Sequence, residues 1–365
     1  MDVQATHSTR ARRRRLAAAL RLVAGLAALV LPAWAGDFTA STAPLPPTLR
    51  DTGLYVDGSM SRVRPENLPF SPQYALWSDG AAKRRWIYLP PGTFIDAARP
   101  EAWEFPPGTR LWKEFAHARA VETRYIERLR DGSWRYAAYV WNEDGTDAVL
   151  APEGGRTGLR AAGAPEGRYD IPAQADCRAC HEGARVPVLG FGALQLSPDR
   201  DPGAVHGTAA GPADVDLRSL VARGLVRNLP ASLTERPPRI AASSATARAA
   251  LGYLHGNCGH CHSGTDSAPP VDLLLAQDIG DAAATDRVLR SMIGRASLYP
   301  AAGHATGARV VAPGSARASV IATRMRSRDP QVQMPPLGTR IPDDEGLSLV
   351  ERWINSLEPT KETAP

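Results

Sequence analysis

The four cysteines of this 365-residue chain all lie in two copies of one five-residue pattern. The copies are Cys177-Arg178-Ala179-Cys180-His181 and Cys258-Gly259-His260-Cys261-His262. In a C-x-x-C-H pattern, two thiols on one short turn can bond to the vinyl groups of a haem, and the adjoining histidine can ligate its iron. The sequence therefore predicts two covalently bound haem c groups, with His181 and His262 as the proximal iron ligands.

Other uses of a C-x-x-C-H pattern are a redox dithiol and a zinc site. A thioredoxin-like dithiol would need a βαβ context, and the sequence around the two motifs does not show one. A structural zinc ion takes four ligands, so a zinc site built from both motifs would leave ligands unused. Haem attachment uses all four thiols, and the chain is therefore expected to form no disulfides.

Met334 is the predicted distal ligand of the second haem. It follows His262 by 72 positions and precedes Pro335 and Pro336, whose fixed φ angles stiffen the loop. Ligation by histidine and methionine raises the reduction potential of a haem. Met325 is the competing methionine, but it lies in a run with helical character and has no such loop.

The first motif has no comparable methionine loop before the second part of the chain. The candidates for its sixth ligand are His117, His206, His255, His260, His304 and Met60. Electron transfer between redox partner proteins is the preferred interpretation of the two haems. The alternative is a haem oxidoreductase that acts on a peroxide or a small nitrogen compound at an open first iron, so whether the protein is an enzyme stays undecided.

The N-terminus has the three parts of a secretory signal peptide. Arginines dominate residues 10–15, an apolar stretch covers residues 22–31, and Ala33-Trp34-Ala35 has the small-x-small pattern of a cleavage site. The apolar stretch is shorter than the roughly 20 residues that span a bilayer. We expect cleavage after Ala35 and a periplasmic protein, with membrane association only if the signal stays uncleaved.

The charge balance argues against a nucleic-acid partner. The full chain has a formal net charge of +5, from 43 basic and 38 acidic residues. Removal of residues 1–35 takes away six arginines and one aspartate, which leaves 37 basic and 37 acidic residues. A nearly neutral mature chain lacks the basic surface that binding to nucleic acid requires.

The middle of the chain shows the pattern of antiparallel strands. Six of the eight tryptophans lie between Trp77 and Trp141, among short β-rich runs, two of which flank the hairpin signal Asp131-Gly132. In the run before that turn, Glu122 and Arg124 alternate with apolar residues, as in a half-buried strand. A β-rich domain with a tryptophan-heavy core follows from this pattern.

The later part of the chain has helical character. Helices are predicted over residues 216–227, 244–254, 281–293, 315–326 and 343–357. The predicted fold class is α+β and multidomain: an antiparallel β-rich domain that ends in the first haem motif, then an all-α, class I cytochrome c-like domain with the second. The predicted parts are a signal peptide (1–35), an extended lead-in (36–70), the β-rich domain (71–200), a connector (201–240) and the helical domain (241–360).

The stretch 244–357 resembles class I cytochromes c in its order of helix, haem motif, helices, methionine loop and terminal helix. The resemblance implies that a proline carbonyl after the motif, from Pro269 or Pro270, accepts the ring N–H of the proximal histidine. It also implies that the first and last helices cross near Gly252 and Trp353.

A second resemblance extends over nearly all of the mature chain. It rests on four strings, WSDG (77–80), KRRWIYLPPG (83–92), WEFPPGTRLWKEF (103–115) and AYVWNED (138–144). These look like an uncharacterised bacterial family of secreted dihaem c-type cytochromes, which implies two haems and an exported protein but no substrate. A β-rich domain that ends in C-x-x-C-H is also similar to the lysine-cross-linked cytochromes that oxidise hydroxylamine, although no lysine here is assigned to a cross-link.

Overall fold

A computed structural model describes residues 44–207, 211–265, 271–299 and 308–359. The described residues belong to one compact unit. The predicted cleavage site at Ala35 lies outside the described residues, as do His304, Pro269 and Pro270. Within the described ranges, no helix has both the length and the apolar character needed to cross a membrane.

An antiparallel sheet of six strands is the centre of the fold. The ten strands are β1 (Leu68–Pro69), β2 (Ala82–Tyr88), β3 (Ile95–Asp96), β4 (Arg110–Ala116), β5 (Ala120–Arg128), β6 (Trp134–Trp141), β7 (Ala148–Leu150), β8 (Arg156–Arg160), β9 (Arg168–Ile171) and β10 (Val226–Arg227). The large sheet has the order β1-β2-β4-β5-β6-β7, while β3 pairs with β10 and β8 pairs with β9. The hairpin predicted at Asp131-Gly132 is confirmed, since it joins β5 to β6 and Gly132 has a φ of 84°.

Both faces of the large sheet are covered by other parts of the chain. One face packs an aromatic cluster that contains Trp86, Trp112, Tyr125 and Tyr139. The opposite face packs a second cluster that contains Ile87, Leu111, Ile126, Tyr136, Trp103 and Phe191. The lead-in covers the aromatic face, where Trp112 Nε1 donates to Thr52 Oγ1 at 2.9 Å.

Short helices pack around the sheet and beyond its edge. They are α1 (Gln174–His181), α2 (Leu217–Ala222), α3 (Ala231–Glu235), α4 (Ala245–Asn257), α5 (Ala284–Met292), α6 (Val320–Arg326) and α7 (Asp344–Asn355). The predicted start of α4 is confirmed, because the Ser244 side chain accepts from the backbone N–H of Ala247. Asp343 caps α7 in the same way through Gly346 N–H.

The prediction of an all-α, class I cytochrome c-like domain over residues 241–360 is wrong. The described molecule is β-rich, and α4 to α7 are separated by irregular backbone that pairs as isolated bridges, including Ile293 with Val311 and Arg309 with Ser319. The core between these helices also includes Tyr74, which comes from the sheet-containing part of the chain. Local helix signals do not show which partner a helix packs against, so they could not predict this shared core. The boundaries expected after residues 70, 200 and 240 stay predictions.

Candidate functional site

The two C-x-x-C-H motifs meet in the folded chain. The first occupies the last turn of α1, and the second begins directly after α4. Ser263 Oγ and Thr265 Oγ1 each donate to the carbonyl of Gly183 at 3.1 Å, across about 80 positions of sequence. An ion pair between Arg185 and Asp278, at 2.8 Å, joins the segments that follow the motifs. These contacts bring both sets of predicted haem-binding residues to one junction.

The thiols of the two motifs also contact each other. A hydrogen bond between Cys180 and Cys261 raises the pKa of Cys180 to about 12 and lowers that of Cys261. Burial raises the pKa of Cys258 to about 12 and that of Cys177 by a smaller amount. All four cysteines carry free thiols in the structure.

His181 has the protonation state that a metal ligand needs. Its Nδ1 lies 2.5 Å from the carbonyl oxygen of Pro187. Because a carbonyl only accepts, Nδ1 must carry the ring proton, and the lone pair of Nε2 is left free. Burial lowers the pKa of His181 to about 4, so the ring is neutral near pH 7.

His262 is buried as well, with 8% of its surface exposed. Burial lowers its pKa, the charges of His260 and Arg324 act in the same direction, and the backbone of Leu273 opposes them. Its Nδ1 is buried without an acceptor in hydrogen-bond geometry among the described residues. The acceptors that the resemblance implies, Pro269 and Pro270, lie outside the described residues.

The Met334 loop is fixed to α6 through Arg324. Arg324 Nε donates to the carbonyl of Val332 at 2.8 Å, and the Arg324 carbonyl accepts from the Met334 N–H at 3.0 Å. The charge of Arg324 also lowers the pKa of His262, which places the loop and this ring in the same region. The competing Met325 is 7% exposed and packs in the core between the helices, so packing alone accounts for it.

A cavity of about 220 Å³ lies at the junction, between the sheet and the two motifs. Apolar side chains form much of its wall, and they include Phe70, Trp103, Leu111, Ile126, Val188 and Phe191. Cys180 and His181 border it from the first motif, and Gly259 borders it from the second. The apolar part of this wall thus lies beside a thiol and a neutral histidine.

The structure removes three of the six candidates for the sixth ligand of the first haem. Met60 packs in the aromatic cluster on the other face of the sheet. His206 Nε2 lies 2.9 Å from both carboxylate oxygens of Asp343, which occupies that nitrogen. His117 packs against a tyrosine ring and does not border the cavity. A fourth candidate, His304, lies outside the described residues.

His255 and His260 are the candidates that border the cavity together with His181. Gln277 N–H donates to His255 Nδ1 at 3.1 Å, so the proton of the neutral His255 ring is on Nε2, which then donates and cannot ligate. Burial lowers the pKa of His255 to about 4 and keeps the ring neutral. His260 is close enough for its charge to lower the pKa values of His181, His255 and His262. It is therefore the better placed of the two candidates.

Several polar atoms that border the cavity are buried without a partner among the described residues. They are Glu101 Oε1, Trp103 Nε1 and Gln277 Nε2. Burial raises the pKa of Glu101 to about 8, so this carboxyl group keeps its proton at pH 7. Sequence reasoning missed Glu101 and Gln277 because nothing in their local sequence distinguishes them from exposed residues.

A row of three cations crosses the sheet at the same cavity. Arg85 in β2 is paired in register with Lys113 in β4, and Lys113 with Arg124 in β5. All three border the cavity. The alternation that predicted a half-buried strand placed Arg124 and Glu122 on an exposed face, yet Glu122 is 0% exposed. The alternation of residue types did show that Arg124 and Glu122 share one face of the sheet. It did not show that other segments of the chain cover that face.

The part of the chain that the structure describes contains no group of three or more histidine, cysteine, aspartate or glutamate side chains placed to hold a metal ion. A c-type haem brings its own equatorial nitrogens, so its protein supplies thiols and axial ligands only. The free thiols, the fixed tautomer of His181 and the unpartnered Nδ1 of His262 are compatible with such a group. Comparison with known proteins gives no match to any family, any curated protein or any solved structure.

Proposed function

We propose that the protein is a dihaem c-type cytochrome that transfers single electrons between redox partner proteins. Bound haem would supply the one-electron chemistry, and the chain would supply anchors, axial ligands and a buried environment. We further propose export to the periplasm, with cleavage after Ala35. The residues proposed to hold the haems are Cys177, Cys180 and His181 for the first, and Cys258, Cys261, His262 and Met334 for the second.

The contact between the two motifs is the observation that supports this proposal most strongly. Ser263 and Thr265, which follow the second motif, both bond to Gly183, which follows the first. Two sites held side by side allow an electron to enter the molecule at one and leave at the other. A chain that used each motif separately would have no need for this junction.

Each proximal histidine is prepared for its role by the residues around it. Pro187 fixes the tautomer of His181 and thereby directs its free lone pair. Arg324 holds the loop of Met334 near His262, and a thioether opposite a histidine raises the reduction potential. The second site is therefore the more oxidising one if the first has no sulfur ligand.

A redox titration followed by absorption spectroscopy tests the proposal. The full chain is produced in a periplasm that attaches haem, and we expect two one-electron steps. The double variant Cys258→Ser and Cys261→Ser is the matched control, and it should retain one step of lower potential. A wild-type protein with one step, or with no haem absorption, would contradict the proposal.

A second candidate function is a haem oxidoreductase that acts on a peroxide or a small nitrogen compound at the first motif. The unpartnered polar atoms of Glu101, Trp103 and Gln277 favour it, because a small polar molecule in the cavity would satisfy them. Electron transfer alone does not require these atoms. A carbon monoxide difference spectrum of the reduced protein separates the two functions: saturable binding at one haem supports the enzyme, and no change supports electron transfer.

A further inference from the structure

Arg85 and Lys113 are basic side chains at the cavity wall that form no ion pair with a carboxylate of the described residues, and Arg85 is buried while Lys113 is half-buried. Arg85 is 6% exposed, and burial lowers its pKa to about 10 although Asp214 acts in the opposite direction. Burial also lowers the pKa of Lys113 far below its ordinary value, and the nearby cations add to this effect. Among the residues that the structure describes, no carboxylate lies within 4 Å of either cation. Among the described residues, the Lys113 ammonium lies over the ring of Phe115, 4.8 Å from its centroid.

Arg124, the third cation of the row, shows what the other two lack. Two of its nitrogens donate to the carboxylate of Glu122, at 2.8 and 3.1 Å. Glu122 also accepts from the hydroxyl of Tyr169 at 2.7 Å, so its oxygens are already engaged. The Glu101 carboxyl group borders the same cavity, but its raised pKa keeps it protonated and uncharged. Glu101 therefore does not neutralise Arg85 or Lys113. The described carboxylates that raise their pKa values, Asp214 for Arg85 and Glu122 for Lys113, form no ion pair with them within 4 Å.

Such an arrangement is unfavourable in a protein without a ligand. Like charges directly opposite each other in neighbouring strands destabilise a sheet. Burial of the Arg85 guanidinium without an ion pair adds to this penalty, because burial removes part of its hydration. A sheet that keeps two such cations side by side, in the wall of a cavity, gains stability when an anion binds between them.

We propose that Arg85 and Lys113 form a binding site for an oxyanion within the cavity. An arginine fork and a lysine ammonium together suit a carboxylate or a small inorganic oxyanion. One source of this chemistry is a propionate of the haem attached to the first motif, and in that form the inference rests on the proposed function. The other source is a free small anion, which would make the cavity a site for anionic molecules.

The test uses the full chain as purified from a periplasm that attaches haem, with Arg85→Gln and Lys113→Met as variants. Arg84→Gln is the matched control, because Arg84 is adjacent to Arg85 in β2 and points to the opposite face of the sheet. The Arg84 side chain is 64% exposed and forms an ion pair with Glu114. Formate is the probe for a free anion, and its effect on the melting temperature is measured. The propionate bending bands in the resonance Raman spectrum are the probe for a haem carboxylate.

If a free anion occupies the site, formate should raise the melting temperature of the wild type and the control. Each cavity variant should then need about tenfold more formate for the same rise, as expected for the loss of one charged contact. If a propionate occupies it, formate should have no effect, and the bending bands should shift in Arg85→Gln and Lys113→Met but not in Arg84→Gln. Equal behaviour of all four proteins in both measurements would overturn the proposal.

A measurement of the attached haem distinguishes a failure of the anion site from a failure of the proposed function. The mass of the peptide that contains Cys177 and Cys180 shows whether haem is attached. If it is not, the proposed function fails, while the formate titration still tests the cation pair. If haem is attached and both probes give no difference between variants and control, the anion site alone is wrong.

Discussion

The two C-x-x-C-H motifs share one pattern but lie in different surroundings. The first ends α1 and borders a cavity with a row of cations, a protonated Glu101 and unpartnered polar atoms. The second follows α4 and lies near a loop in which Arg324 holds Met334 by its backbone. The comparison shows that one five-residue pattern recurs in two places, while distant segments decide what surrounds each copy.

The different surroundings of the two motifs suit two different tasks at one junction. A thioether opposite His262 would fill the coordination of the second iron and raise its potential, which suits electron transfer. The first motif offers ionisable groups but no methionine in the described part of its cavity. The described surroundings of His181 are therefore the better place for a bound small molecule or for regulation by an anion.

Removal of the two thiols of one motif is the change with the largest expected effect, and it compares the two motifs directly. Cys177→Ser with Cys180→Ser, or Cys258→Ser with Cys261→Ser, should each halve the haem content. The pyridine haemochrome assay, expressed per protein chain, measures this loss. Because Ser263 bonds to Gly183 across the junction, the absorption spectrum of the remaining haem should also change. Full haem content in either double variant would show that the thiols do not attach it.

We also expect Gly252 in α4 to connect the surroundings of the second motif to the cavity beside the first. A Cβ atom at this position would lie 1.9 Å from a ring atom of Tyr74, which borders the cavity. Gly252→Ala should therefore lower the free energy of unfolding by about 3 kcal/mol, as overpacked cores do. In the control Gly154→Ala, where the added atom meets nothing, the change should be about 0.5 kcal/mol or less. Urea unfolding measures both, and equal stabilities would contradict the contact.

Met334→Leu tests whether the second site has the sulfur ligand. It should lower the potential of one haem by on the order of 0.1 V, a fraction of the roughly 0.8 V that axial ligands span. Met325→Leu removes a neighbouring thioether of the same size and should leave both potentials unchanged. A redox titration in which the two variants behave alike would remove Met334 from the site.

The pH dependence of stability tests the protonated Glu101 at the cavity of the first motif. Its folded pKa of about 8 lies above the ordinary value of 4.5, so folding favours the protonated form. The resulting stabilisation is complete below pH 4.5 and is lost as the pH rises through 8, by at most about 1.4 kcal/mol per pH unit. Glu101→Gln should flatten this part of the profile between pH 5 and 8. Glu104→Gln, at an exposed side chain, should not change it.

Features that depend on neighbouring residues in the sequence were predicted well. The Asp131-Gly132 hairpin and the start of a helix at Ser244 are local, and the structure has both. Features that depend on packing between distant segments were not. Gly252 was expected to contact the last helix but contacts Tyr74, and it is Gly346 of α7 that lies against Tyr253.

The cation row is the clearest example of what the sequence does not show. Arg85, Lys113 and Arg124 become neighbours only through the register of three strands. Arg124 lies in the strand whose alternating pattern predicted exposure of its face to solvent. The segment after the first motif buries this face of the sheet, so the face is not exposed to solvent. This burial depends on contacts between residues more than 60 positions apart in the sequence. The all-α domain was wrong for the same reason, since its core is shared with Tyr74.

Circular dichroism in the Soret region tests most directly whether the two motifs hold adjacent haems. Two haems at one junction should couple, and the spectrum of the wild type should show paired bands of opposite sign. Each double cysteine variant should lose this pair and show a single band. A wild-type spectrum that equals the sum of the two variant spectra would contradict the adjacency, and an absent Soret band would contradict haem attachment itself.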